Sequence, residues 1–236
     1  MNAGDRLDEL AAQHGLAAPA VEALTRLLAL VSSDLAAPTA VRDPVRAVDT
    51  HVADALVALD LPRVRAATRV ADLGSGAGFP GLVLAAALPG AEVALVEANH
   101  RKCAFLEGAA AQMGLANVGV VAERAESWTQ GLGTRDLVTA RALAPLAVLV
   151  EYAAPLLAQD GALLAWKGRR DDTEEADGDA AAAATGLELA EVRAVRPWNG
   201  AERLHLHLYV KVGLTPNRRF PRRPGIASKR PLRASS

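Results

Sequence analysis

One stretch constrains this chain more than any other. RVADLG (69–74) is a short apolar run that stops at glycines, which predicts a buried strand. It runs into the decapeptide DLGSGAGFPG (72–81), and FPGLVLAAALP (79–89) then predicts a helix. Strand, glycine loop and helix in direct succession form the repeating unit of a doubly wound sheet. Such sheets hold their ligands at the carboxyl ends of central strands. The alternation continues down the chain. AEVALVEA (91–98), NVGVV (117–121), RDLVTARA (135–142) and GALLAWKG (161–168) predict further strands. Helical stretches lie between them at 100–114, near 125–132 and at 143–158, and another follows at 170–185. ELAEVRAVRP (188–197) and ERLHLHLYVKV (202–212) close as an antiparallel pair, the second alternating with period two. The predicted class is α/β: a Rossmann-like, doubly wound, mostly parallel sheet with an antiparallel edge strand.

An N-terminal helical extension (1–65) precedes this domain (66–214). Leu7, Leu10 and Ala11 recur at helical spacing, as do Leu24, Leu27, Leu28 and Val31, and then Val45, Val48, Val52, Leu56 and Leu59. APTAVRDP (37–44), with prolines near both ends, separates the second helix from the third. The C-terminal 215–236 segment has four prolines and no acids. It predicts a basic tail without fixed structure. Charge divides along the same line. From Arg203 onward there are nine Lys/Arg and no Asp/Glu, against 17 Lys/Arg and 27 Asp/Glu before it. An acidic body with a basic end points to a polyanionic partner.

Several classes are excluded. One cysteine rules out a disulfide framework or a Cys-cluster zinc site. No apolar run is long enough to span a membrane. The N-terminus lacks an apolar signal core, so the chain reads as cytoplasmic.

The glycine loop admits two ligands. Gly76, Gly78 and Gly81 satisfy G-x-G-x-x-G and Glu97 lies about twenty residues on, as in a dinucleotide site. Asp72, two residues before Gly74, argues otherwise. A carboxylate there opposes a pyrophosphate but suits the ammonium and sulfonium of S-adenosylmethionine, directly or through water. Glu97, ending its strand, can accept the ribose hydroxyls of either ligand.

With these residues in place, the chain resembles class I S-adenosylmethionine-dependent methyltransferases. Within them it is similar to the small-subunit ribosomal RNA guanine-N7 methyltransferase family (RsmG, also GidB). RDP (42–44), HVADAL (51–56) and GSGAGFPG (74–81) resemble the family's blocks, and so do HRKCAFL (100–106), RAE (124–126), TARAL (139–143) and WKG (166–168). The tail RRFPRRPGIASKRPL (218–232) resembles the basic tail of many members. Two positions depart. Ala55 stands where the family usually has Ser, and Thr39 stands in for the usual Asn-Leu-Thr ahead of RDP. The resemblance implies that Gly74 and Phe79 line the cofactor and that Ala125 and Glu126 hold its adenine end. Arg141 would lie at the methyl-donor side. Asp72, Gly76, Gly78 and Glu97 join them on the chemical argument above.

The resemblance also implies a reaction: methyl transfer from S-adenosylmethionine to N7 of a guanosine in 16S rRNA, in the 530-loop region. Guanine N7 is a bare lone pair and needs no deprotonation. Catalysis can then be mostly alignment and exclusion of water. An adenine-N6 enzyme would carry Asn-Pro-Pro-aromatic where this chain has TARAL, and a cytosine-C5 enzyme needs a thiolate. Cys103, flanked by Ala104 and Phe105, reads as packing. Arg141 is the candidate catalytic residue, set against a structural salt bridge to an acid such as Asp136 or Glu126. His51 and Asp54 share a helix face, either gating the pocket or pairing together. Lys167, Arg218, Arg219, Arg222 and Arg223 are candidates for RNA phosphates, and Trp166 for base stacking. Asp171–Asp179 reads as a solvent-facing acidic stretch. His205 and His207 share a strand face with no third metal ligand, so no metal is expected and the strand reads as solvent-facing. The expected partner is 16S rRNA, met as naked RNA, small subunit or assembly intermediate, by a monomer. The competing readings are a small-molecule methyltransferase, a non-catalytic ribosome-associated protein and an NAD(P) enzyme.

Overall fold

The computed structural model describes residues 2–34 and 37–234. The extension begins with α1 (Ala3–His14) and α2 (Ala18–Ser33). Asn2 caps α1 through a reciprocal pair with Asp5, and Gly15 ends it in the left-handed region at φ 70°. A continuous helical segment follows. It comprises α3 (Pro44–Ala47), a wide π turn (Val48–Ala53), α4 (Asp54–Leu56) and a 3₁₀ turn (Val57–Asp60), with the short α5 (Pro62–Arg65) beyond. The period of apolar residues predicts one regular helix here. The π turn is the difference, and such bulges concentrate at functional sites.

The RDP block is a structural joint. Arg42 Nη1 donates to the Asp34 carbonyl at 2.7 Å, at the end of α2, and the Asp43 carboxylate caps Arg46 N–H at 2.8 Å.

The sheet strands are β1 (Arg69–Leu73), β2 (Glu92–Val96), β3 (Val118–Val121), β4 (Arg135–Arg141), β5 (Leu157–Lys167), β6 (Leu187–Val195) and β7 (Leu204–Lys211). The helices between them are α6 (Gly81–Ala87), α7 (His100–Met113), α8 (Leu146–Ala153) and α9 (Asp172–Thr185). The helix expected near 125–132 is two 3₁₀ turns instead.

The order is β3-β2-β1-β4-β5-β7-β6. β1 pairs in parallel with β2 and β4, and only β7 runs antiparallel, inserted between β5 and β6. The winding reverses between β1 and β4, which is where an α/β sheet opens a ligand crevice. Alternate strand residues serve opposite faces. Val70, Val93, Leu95, Leu137 and Leu164 join one core with α2, α6 and α7. Ala71, Leu73, Val96, Val138 and Leu163 join the other with α8 and α9. The first core also contains Leu7, Leu24, Val52 and Leu56, so the extension and that sheet face share one apolar interior.

The C-terminal segment corrects the sequence expectation of a loose tail. Thr215 Oγ1 donates to the Thr185 carbonyl at 2.8 Å, Phe220 is buried, and α10 (Ile226–Lys229) packs on α8 with Ala227 buried. Local composition missed this because a few apolar side chains, one ion pair and scattered hydrogen bonds hold the segment, and their partners lie elsewhere in the chain.

Candidate active site

The glycine loop is built on Asp72. Its carboxylate is buried beneath the loop, accepting the Gly81 N–H at 3.2 Å and the Thr139 hydroxyl at 2.8 Å. Burial pushes the carboxyl up to about 6, against the pull of these hydrogen bonds. Asp72 therefore lies beneath the loop and is not among the residues lining the cleft, where its sequence position predicts a contact direct or through water. It fastens the first turn of α6 to β1 and β4. The discrimination survives by another route. A pyrophosphate needs the first amides of the helix after the loop, and the Gly81 amide is already committed to a carboxylate.

Gly76 and Gly81 are required for different reasons. Gly76 has φ +55°, a Cβ there would meet only the Gly74 carbonyl oxygen at an ordinary 3.7 Å, and its N–H donates to Glu97 Oε2 at 3.2 Å. Gly81 has no Cβ room: one would lie 2.3 Å from Leu95 Cδ2 and 2.7 Å from Asp72 Oδ2.

Above the loop opens a cleft of ≈ 260 Å³, lined by Gly74, Glu97, Ala125, Glu126, Leu143 and Tyr152 among others. The structure thus brings together four of the sequence candidates for the cofactor: Gly74, Glu97, Ala125 and Glu126. Both Glu97 oxygens already accept backbone N–H groups, from Gly76 and from Asn99 at 2.9 Å, which fixes the carboxylate at the end of β2. Each oxygen keeps a lone pair for a hydroxyl. Gly78 is not at the lining; at φ +90° it shapes the turn against Leu82.

A second cleft, ≈ 250 Å³, is lined by Asp54, Arg141, Ala142, Trp166, Lys167, Gly168 and Leu204. The two clefts share Ala142. This residue sits in the left-handed region at φ 53°, uncommon for a non-glycine residue, so strain is held at the wall between them.

Arg141 does form a structural salt bridge, the alternative set against a catalytic role, but its acid is Asp54 and not Asp136 or Glu126. Its Nη1 donates to Asp54 Oδ2 at 2.6 Å and to the Thr50 carbonyl at 3.0 Å. Asp136 instead binds the Thr68 and Arg69 amides, and Glu126 accepts from Gly225 N–H. His51 and Asp54 do not pair with each other. The His51 ring stacks on Phe79 at 4.3 Å between centroids, with the Arg141 guanidinium 5.7 Å from the Phe79 centroid. Phe79, expected at the cofactor, is buried in this stack and lies outside the first cleft. The π turn places Thr50 and His51 against the end of β4. Thr39 Oγ1 lies 3.0 Å from His51 Nε2 and accepts from Val41 N–H, which leaves its own proton for the imidazole. Ala55, at the family's usual Ser position, is fully buried.

Burial, and next the nearby Arg141 charge, lower the His51 pKa to about 4. The folded state therefore holds a neutral ring. As pH falls below the ordinary histidine value of 6.5, the unfolded chain takes up this proton first, so stability from this group is lost between pH 6.5 and 4. Asp72 acts with the opposite sign, since its raised folded pKa favours the protonated folded state as pH falls toward its ordinary value. Urea unfolding of the wild type and His51→Gln at pH 7 and pH 5 separates the two, because Asp72 is common to both. The loss on acidification should be smaller in the variant. An equal loss would show that His51 is not held neutral.

Other sequence candidates lie apart or are occupied. Trp166 is buried at the edge of the second cleft and its Nε1–H donates to the Asp54 carbonyl at 2.8 Å, so it ties the extension to β5. Lys167 Nζ pairs with Glu174 at 2.5 Å. The Cys103 thiol is buried against the Glu97 carbonyl, consistent with packing. His207 is buried against Glu175, contrary to a solvent-facing strand, and no His/Cys/Asp/Glu group among the described residues is arranged for a metal. The 171–179 acids are also less free than expected: Glu174 caps Leu146 N–H, Glu175 binds Arg170 and His207, and Asp177 accepts Ala234 N–H. Arg222 is committed to an ion pair with Glu151, leaving Arg218, Arg219 and Arg223 exposed. Tyr152 and Leu143 were not singled out in the sequence. Tyr152 lies in a helix whose apolar period signals only packing, and nothing local shows that it lines the same cleft as Glu126.

The sheet order, the glycine loop at the reversal between β1 and β4, and the acid ending β2 define a class I, Rossmann-like methyltransferase. An S-adenosylmethionine-dependent O-methyltransferase from Thermotoga maritima shares the fold, with a TM-score of 0.53 at 16% identity, over 68% of this chain and 64% of that one. A family model described as rRNA small subunit methyltransferase G matches residues 22–204, and the chain belongs to that family. Among the relatives, ribosomal RNA small subunit methyltransferase G of Rubrobacter xylanophilus is 41% identical over 81% of this chain and 76% of its own. The protein of the same name from Chloroflexus aggregans is 43% identical over 82% of each. No helix among the described residues is long and apolar enough to cross a membrane.

Proposed function

We propose that this protein transfers the methyl group of S-adenosylmethionine to N7 of a guanosine in 16S rRNA, in the 530-loop region of the small subunit. The observation that carries the reaction type is the state of the second cleft. The titratable side chains at and beside it are poor bases: Asp54 pairs with Arg141 through Oδ2 and keeps Oδ1 buried, Lys167 pairs with Glu174, and the neighbouring His51 ring has its pKa lowered to about 4. A nucleophile that needs deprotonation finds no strong, accessible base there, whereas guanine N7 needs none.

The first cleft fits the cofactor's chemistry. Glu97 would take the ribose hydroxyls, and Ala125 and Glu126 the adenine end. When bound, S-adenosylmethionine supplies an activated methyl group on a sulfonium. The chain's own residues then align and enclose. Ala142 separates the clefts and sets the approach of the two reactants. Asp54 and the Thr50 carbonyl hold Arg141 at that boundary, where its free N–H groups can bind guanine O6 or a phosphate without a proton changing hands. Leu143, above Gly74, helps exclude water.

Exposed Arg218, Arg219 and Arg223 supply sequence-independent phosphate affinity. Specificity then rests on RNA shape and an unstacked base. Incubation with labelled methyl donor, separately with naked rRNA and small subunits from cells lacking the enzyme, tests both reaction and substrate form. Label in N7-methylguanosine is expected. Label only in a small molecule would support the small-molecule reading instead.

A further inference from the structure

The C-terminal segment meets the cofactor cleft from outside. Gly225 N–H donates to Glu126 Oε1 at 2.9 Å, and Glu126 lines the cleft. Tyr152 lines the same cleft as Glu126, on the helix against which α10 packs, and burial and then the Glu126 carboxylate push its phenol above the ordinary value. Three anchors hold the segment in place. Phe220 is buried at 3% exposure. Arg222 forms a two-pronged pair with Glu151, which is 2% exposed, and also donates to the Arg230 carbonyl at 3.0 Å. Leu232 packs on the α8–α9 core, and Ala234 N–H reaches Asp177 at 2.9 Å. A buried carboxylate such as Glu151 is costly without its cation, so the pair strongly favours the seated segment.

We propose that residues 216–234 form a strap that completes the adenine end of the cofactor cleft by positioning Glu126 and Tyr152. This inference rests on the methyltransferase reading above and adds a role for the segment in cofactor binding. Gly225 and the Arg222–Glu151 pair are positioning groups that act through Glu126. Coupling is reciprocal: whatever affinity the seated strap adds for the cofactor, the cofactor returns as stability of the seated strap. A seated strap also fixes Arg218, Arg219 and Arg223 beside the site, so the bound cofactor would present an ordered cationic edge to RNA.

Calorimetric titration of the full chain with S-adenosylhomocysteine, without RNA, tests this. Gly225→Pro removes the donor to Glu126 and, because proline cannot adopt the φ of +79° found there, also unseats the strap at this point, while leaving every cleft side chain in place. Arg222→Met with Glu151→Met removes the anchor without stranding a buried charge. Both should weaken the cofactor Kd about tenfold, the loss of roughly one hydrogen bond to a charged group. Arg218→Gln with Arg223→Gln should leave that Kd unchanged while weakening RNA binding. On the wild type alone, the ligand should slow tryptic cleavage after Arg218 and Arg219. A Kd within about twofold of wild type in both strap variants, with cleavage unaffected by ligand, would overturn the strap and leave the methyltransferase reading standing. No binding by the wild type would overturn the methyltransferase reading itself.

Discussion

Arg141→Met should lower both stability and methyl transfer, and the two losses should separate on a second substitution. Arg141 is the cationic partner of Asp54, which is 6% exposed. Burial already pushes the Asp54 carboxyl upward, and Arg141 pulls it back. Removing the guanidinium leaves an unpaired buried charge, a cost of about 3–5 kcal/mol. For a chain of this size the melting temperature should fall by roughly 6–20 °C. Adding Asp54→Asn removes the stranded charge and should restore most of that loss. Transfer should not return. Arg141 stands at the boundary of the two clefts, and misplacement of reactants there costs at least about 100-fold in rate. Thermal melts and single-turnover methylation of both variants decide the matter. Wild-type turnover in the double variant would reduce Arg141 to a structural residue.

Gly81→Ala is the second large effect. At an ordinary first helical position this change stabilises by about 0.4–1 kcal/mol. Here the new Cβ would lie 2.3 Å from Leu95 Cδ2 and 2.7 Å from Asp72 Oδ2. Either α6 moves off β1 or the Asp72 carboxylate turns away from the Gly81 amide. Overpacking of this kind costs about 1–3 kcal/mol. The displaced loop should weaken cofactor binding about 10–100-fold, since Gly74 of the same loop lines the cleft and the Gly76 amide holds Glu97. Gly76→Ala should cost less, about 1–2 kcal/mol, because only its left-handed backbone resists a side chain. Urea unfolding and titration with S-adenosylhomocysteine would rank the two. A larger effect at Gly76 would mean that Asp72 is not the loop's anchor.

Much of the site was legible in order along the chain. The strand–loop–helix at 69–89 places the glycines, Glu97 follows one unit later, and the RAE and TARAL blocks end up around the same crevice. These features are local. Strand period, helix period and glycine turns depend on residues a few positions apart, so sequence pattern carries them. Directions and partners were less legible. Asp72 was read as facing the ligand, yet it turns beneath the loop toward Gly81 and Thr139. Phe79 was read at the cofactor and lies against His51. A one-dimensional pattern gives the face of a strand but not what fills the space beyond it.

By itself the sequence determined the sheet, the position of the loop, the acidic body and the basic end. Tertiary structure alone decided that Arg141 meets Asp54, 87 residues away, that Trp166 binds the backbone 112 residues away, and that Gly225 reaches Glu126 across 99. The reason is energetic. Buried charges and amides must find partners wherever packing brings them, and that pairing follows the folded core, not the spacing of residues along the chain.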